Sequence, residues 1–126
     1  MSQSLSRFND LRLEDQATVE RRFSAEDVHE WCRFAELDTP PEGVPEPLIA
    51  GLFSYLLGEE LPGHGTNYLK QHMRFEGDAR VDETLTATVT ITHLRGDKAL
   101  VNLDTLCTGE DGRMICAGDA LVLFQC

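Results

Sequence analysis

Positive charge is scarce in this chain. Eleven Lys and Arg stand against 22 Asp and Glu, a net charge of −11 at neutral pH. Such a balance argues against nucleic acid or an anionic membrane as a partner. It leaves room for a phosphorylated small ligand, which a few local cations can hold against an adverse net field. Long apolar runs are also missing. The longest nearly uncharged stretch runs from Pro47 to Gly58, too short to cross a bilayer. No charged-then-apolar leader opens the chain, so the expectation is a protein without a signal peptide, in the cytoplasm. The four cysteines, Cys32, Cys107, Cys116 and Cys126, form no C-x-x-C pair and no paired Cys/His spacing. That pattern argues against a zinc site and fits small buried thiols in a reducing compartment. Internal repeats and low-complexity tracts are absent as well.

What is present suits one domain. The 126 residues are 41% hydrophobic, enough for a real core. Residues 1–16 are polar and mixed and read as an N-terminal arm, and 17–126 as a single domain. Residues 17–23 suit a short strand. Ser24, with an acid three residues on at Asp27, reads as a helix start. Val28, Trp31, Cys32 and Ala35 follow at helical spacing. From Leu37 to Pro47 the chain carries four of its five prolines, so this is a rigid loop. Residues 48–57 are apolar nearly all round and read as a helix buried on nearly all sides, with Gly58 as its stop. The period then changes to two. Thr84 to Thr92 alternates threonine with aliphatic residues, and 67–75, 98–107 and 113–124 also read as strands. Short turns at 95–97 and 109–112 make the last three an antiparallel meander. One apolar helix that must be enclosed, followed by four long strands, predicts an α+β fold: a curved antiparallel sheet wrapped around a central helix. Its free edges favour a homodimer.

Several segments resemble one family in order. Phe23 to Val28 with Phe34-Ala35 resembles its opening helix. Ala50 to Ser54 and Leu56-Leu57-Gly58 resemble its central helix. Leu61-Pro62-Gly63, Gly65-Thr66 and Tyr68 to Gln71 match the stretch that follows, and Thr84 to Val89, Leu94-Arg95, Asp97-Lys98, Cys107 and Gly118-Asp119-Ala120 match its strands. Together they cover residues 23–124 and resemble the MaoC-like hotdog proteins, in the branch of (R)-specific enoyl-CoA hydratases and 3-hydroxyacyl dehydratases. The resemblance implies a hotdog fold, a hydro-lyase acting on acyl thioesters of CoA or acyl carrier protein, and no cofactor. It also implies a hydration motif, Asp-x-Asn-Pro-x-His, which Asp38 to Gly43 matches in outline. Asp38 and Pro41 stand in place, but Pro40 replaces the asparagine and Gly43 the histidine. The connection that follows is shortened, and Pro45-Glu46-Pro47 stands where the family has His-Gly.

Hydration needs a base for water, an acid for the α carbon and donors for a developing enolate. Loss of one such partner commonly costs about 10²–10⁴ in rate. The candidates are Asp38, as the retained acid or as a loop aspartate capping a turn, and Glu42 and Glu46. Either glutamate can pair with Asp38, since two acids in a dry pocket can split their pKa values; either can equally be a solvated loop acid. Amides around Leu48, Ile49 and Ala50 can attract a thioester oxygen, though Pro47 supplies no N–H. Lys70 and Arg74, with Arg95 and Lys98, are candidates for CoA phosphates or are ordinary solvated charges. His64 reads as a surface turn residue. His72 and His93 sit on strands, His93 on the face of Leu85, Ala87, Val89 and Ile91. Two further functions stay open: a non-catalytic acyl-thioester binder or supporting subunit, and a hotdog thioesterase using Glu46.

Overall fold

The computed structural model describes residues 8–37 and 42–124. Five strands and two helices appear in the order β1 (Gln16–Arg22), α1 (Ala25–Phe34), α2 (Glu46–Tyr55), β2 (Thr66–Phe75), β3 (Thr84–Arg95), β4 (Leu100–Thr108) and β5 (Met114–Phe124). The strands form one antiparallel sheet in the order β1-β3-β4-β5-β2. The expected meander is β3-β4-β5.

Local chemistry sets each element. Ser24 caps α1 by a reciprocal box: its hydroxyl accepts from the Asp27 amide at 3.1 Å, and Asp27 accepts from the Ser24 amide at 2.9 Å. In β3, Leu85, Ala87, Val89 and Ile91 are fully buried. The intervening threonines line the outer face, where Thr88 meets the Thr18 hydroxyl at 3.1 Å and Thr90 accepts from Gln16. The inner face closes on α2 through Ile49, Leu52 and Phe53, with Leu103, Val122 and Phe124 completing the core.

Several expectations need correction. The expected arm is packed where it is described. Phe8 is buried, and Glu14 and Asp15 exchange backbone hydrogen bonds with Ile91 at 2.9 Å each, so residues 8–15 belong to the domain. Gly58 is not a stop. Leu56–Glu60 continues α2 as one wide π-helical turn, and Gly58 is not among the left-handed glycines. The wider turn lets consecutive Leu56 and Leu57 both face the core, each fully buried. Nor is α2 enclosed on nearly all sides, because Gly51, Ser54 and Tyr55 are exposed. Finally, a β-bulge between Ile91 and His93 turns His93 outward, off the face of Leu85 and Val89, and brings Leu94 inward in its place.

Candidate active site

The proline-rich loop ends where α2 begins, and the connector between β2 and β3 crosses that end. Between them lies a cleft of about 470 Å³. Glu42, Gly43, Pro45, Glu46 and Ile49 line it from the helix side, and Phe75, Asp78, Ala79, Arg80 and Val81 from the connector side. Helix α2 has no side-chain cap, because Pro45 holds the N-cap position. Pro47 has no amide proton, and the Leu48 amide donates to the Pro45 carbonyl at 3.0 Å. The Glu46 amide, in the first turn, has no acceptor among the described residues. It is a first-turn donor left open at the cleft end of the helix.

The loop and the connector are tied backbone to backbone. The Val44 amide donates to the Ala79 carbonyl at 2.9 Å. The same oxygen lies so close to Gly43 that a Cβ there would collide with it. Gly43, where the resemblance places histidine, is therefore closed to any side chain. The departure from the family motif is a rebuilt contact and more than a single exchange.

A second set of carboxylates holds the connector from behind. Glu83 is only 7% exposed. It accepts from the Arg80 amide at 2.8 Å, the Glu110 amide at 3.0 Å, and one Arg113 nitrogen at 2.8 and 3.0 Å on its two oxygens. Burial pushes the Glu83 carboxyl up, but the hydrogen bonds from Arg113 and the two amides outweigh it and hold the group below the usual glutamate range. Arg113 also reaches Asp111 at 2.8 Å.

The expected site residues separate into groups. Glu42, Glu46 and Ile49 come together in the cleft. Asp38 lies outside the described residues. Of the expected amides, that of Leu48 is spent on the Pro45 carbonyl; the Leu48 side chain lines a groove between α1 and β1 beside Trp31 and Phe34, and Ala50 does not line the cleft. Lys70 and Arg74 point from the outer face of the sheet. Lys70 shares a hollow with His93 and Asp119, and Arg74 lies 3.8 Å from Glu76. A bulge at Leu69 is the reason. Tyr68 pairs with Val122 but Lys70 pairs with Leu121, so the extra residue flips Lys70, His72 and Arg74 away from the helix. His64 is a surface residue as expected, 3.0 Å from Glu59. Burial pushes the Cys107 thiol up to about 12 and the Cys116 thiol up to about 11, the latter with a smaller push from Glu46. Arg80, Asp78 and Phe75 were not singled out from the sequence. The segment 76–83 carries no motif in the sequence, and only the fold brings it to the helix end.

A bent antiparallel sheet around one helix, with a carboxylate-lined cleft at the helix amino end, defines a hotdog protein. No family model matches the chain. It is, however, 31% identical over 131 aligned positions to an (R)-specific enoyl-CoA hydratase of Rhodospirillum rubrum, covering 92% of this chain and 90% of that protein. It is 41% identical over 75 residues to an (R)-specific enoyl-CoA hydratase of Aeromonas caviae, covering 60% of this chain and 56% of that one. The solved (R)-hydratase from A. caviae, described as involved in PHA biosynthesis, superposes with a TM-score of 0.86 at 31% identity, covering 91% of this chain and 98% of that chain. The chain belongs to the MaoC-like hotdog family, in its (R)-specific enoyl-CoA hydratase branch.

Proposed function

We propose that this protein is a hydro-lyase that interconverts 2-enoyl and (R)-3-hydroxyacyl thioesters. In the hydration direction a carboxylate takes a proton from water as its oxygen bonds to C3, and a protonated acid delivers a proton to C2. The thioester oxygen carries the intermediate negative charge against the Glu46 amide. The observation that carries this reading is the cleft itself: two carboxylates and a first-turn amide at the end of the central helix, in a chain of this family. Glu42 and Glu46, with Asp38 from the preceding loop, are the acid and base, and they replace an imidazole that Gly43 cannot supply. The reaction draws on side chains and water, without a cofactor. Purified protein mixed with crotonyl-CoA should remove the enoyl absorbance, and Asp38→Asn should slow that loss. Absence of turnover above buffer across short and long acyl chains would sink the reading.

The closed position at Gly43 favours one alternative, a thioester-binding protein that does no hydration. It predicts binding of crotonyl-CoA without consumption and indifference to Asp38→Asn.

A homodimer accompanies the proposal. The exposed stripe of α2 at Gly51, Ser54 and Tyr55 runs beside β2, an edge strand whose Tyr68 and Leu69 are also exposed. Tyr68 leans onto the helix, its hydroxyl 3.2 Å from that of Ser54. Joining two such faces would cover a sheet edge and the open side of the helix together. Light scattering should give twice the chain mass. No helix among the described residues is long and apolar enough to cross a membrane. The three cysteines among the described residues are buried and free, which supports a reducing cytoplasmic location.

A further inference from the structure

We infer that Arg80 is the residue that grips the phosphorylated arm of the thioester carrier at the cleft. The inference rests on the reading of the cleft as a thioester site and names a residue that reading does not require. Arg80 is the one Lys or Arg lining the cleft among the described residues. The other candidates lie outside the cleft: Lys70 and Arg74 on the outer face of the sheet, and Arg95, 3.6 Å from Asp97, with Lys98 at the turn between β3 and β4.

The guanidinium of Arg80 is uncommitted. It makes no hydrogen bond or ion pair among the described residues, although Glu83, Glu110 and Asp111 stand nearby. Arg113 explains this, because it already neutralises Glu83 and Asp111. The backbone beneath Arg80 is pinned on both sides. Its amide donates to Glu83 at 2.8 Å, and the preceding carbonyl, that of Ala79, accepts from Val44 at 2.9 Å. An unpaired, exposed cation is thus planted on a fixed rim. The hollow behind that rim is lined by Asp82, Glu83, Glu110 and Asp111 and repels an anion. On the cleft side Glu42, Glu46 and Asp78 would repel phosphate as well, so a phosphorylated ligand entering a chain of net charge −11 needs this one cation. Arginine also presents a planar fork suited to phosphate oxygens.

Three crotonyl thioesters separate the contributions: that of CoA, that of 3′-dephospho-CoA, and that of pantetheine, which has no phosphate. Arg80→Gln should raise KM for crotonyl-CoA about tenfold. It should leave kcat, the melting temperature and KM for crotonyl-pantetheine unchanged. Arg80→Lys should recover part of the loss. A tenfold effect that persists with the dephospho thioester assigns the contact to the pyrophosphate; one that vanishes assigns it to the 3′-phosphate. Salt should raise KM for crotonyl-CoA in the wild type and have a weaker effect in Arg80→Gln. Equal KM for crotonyl-CoA in both proteins would overturn the inference, as would an equal rise with crotonyl-pantetheine. If the wild type turns over none of the three, the hydratase reading fails separately. Calorimetry with CoA then decides: weaker binding by Arg80→Gln upholds the assignment, and equal or absent binding overturns it.

Discussion

Two sets of carboxylates lie on opposite sides of the eight-residue connector between β2 and β3, and they differ in exposure and in partners. Behind it, Glu83 is buried and fully partnered by Arg113 and two amides. In front, Glu42 and Glu46 are exposed and make no hydrogen bond or ion pair among the described residues. A carboxylate whose lone pairs are all taken stays ionised and holds backbone in place. One that faces a cleft without a partner is free to exchange a proton with a ligand. The contrast separates a structural role behind the connector from the proposed reactivity before it, although both sets are plain Glu and Asp in an acid-rich chain. It also explains why Arg80 is available: Arg113, the residue directly before β5, carries the structural task.

The largest expected effect lies in front. Glu46→Gln keeps the shape and removes the proton-exchanging group, so turnover of crotonyl-CoA should fall about 10²–10⁴-fold while the melting temperature stays unchanged. Glu42→Gln should show a loss of the same kind. If both variants keep full activity, the chemistry resides with Asp38 or outside this cleft.

Behind the connector the same exchange should act on stability. Glu83→Gln leaves the Arg113 charge without its partner and should cost about 3 kcal/mol in denaturant unfolding. The pH dependence follows from the same contacts. The folded Glu83 carboxyl lies below its ordinary range, so its contribution is complete above the unfolded glutamate value of about 4.3 and is lost as pH falls through the folded value. The wild-type melting temperature should therefore drop more steeply below about pH 4 than that of Glu83→Gln. Parallel acid profiles in the two proteins would remove Glu83 from this role.

Where the two sets meet, Gly43 tests the seam. Gly43→Ala puts a Cβ against the Ala79 carbonyl and should cost about 1–3 kcal/mol, with a matching loss of activity as the cleft opens. Gly43→His should behave at least as badly and should not raise turnover, although it restores the residue that the family motif calls for.

The fold was more legible than the site, for physical reasons. Strict alternation from Thr84 to Ile91 and the Ser24–Asp27 box are local signals, read without knowing the partners. The position of Glu42 and Glu46 at the helix end was legible because they adjoin the helix in sequence. Lys70 and Arg74 stood open between a ligand role and ordinary solvated charge; their facing depends on parity, and one extra residue at Leu69 turns them to the outer face of the sheet. His93 was misplaced by the same device one strand away. Arg80 left no trace in the sequence, since its placement depends on Glu83, Glu110 and Arg113 converging from separate turns. Hydrophobic period reports which face a residue takes between bulges; it carries no information on where a bulge falls or which loop docks on which helix.

The smallest effect sharpens the same contrast between satisfied and unsatisfied polar groups, now inside the core. Thr105 is 2% exposed, and its hydroxyl has no partner among the described residues, unlike the threonines of β3 that pair across the outer face. It lies beside Gly118 of β5 in the sheet register, on the inner face with Leu103 and Cys107. A buried hydroxyl without a partner costs stability, and an apolar group of the same shape does not. Thr105→Val should therefore raise stability by about 1 kcal/mol, a shift of about 3–6 °C in melting temperature. A fall of that size would mean instead that the hydroxyl has a partner such as an internal water.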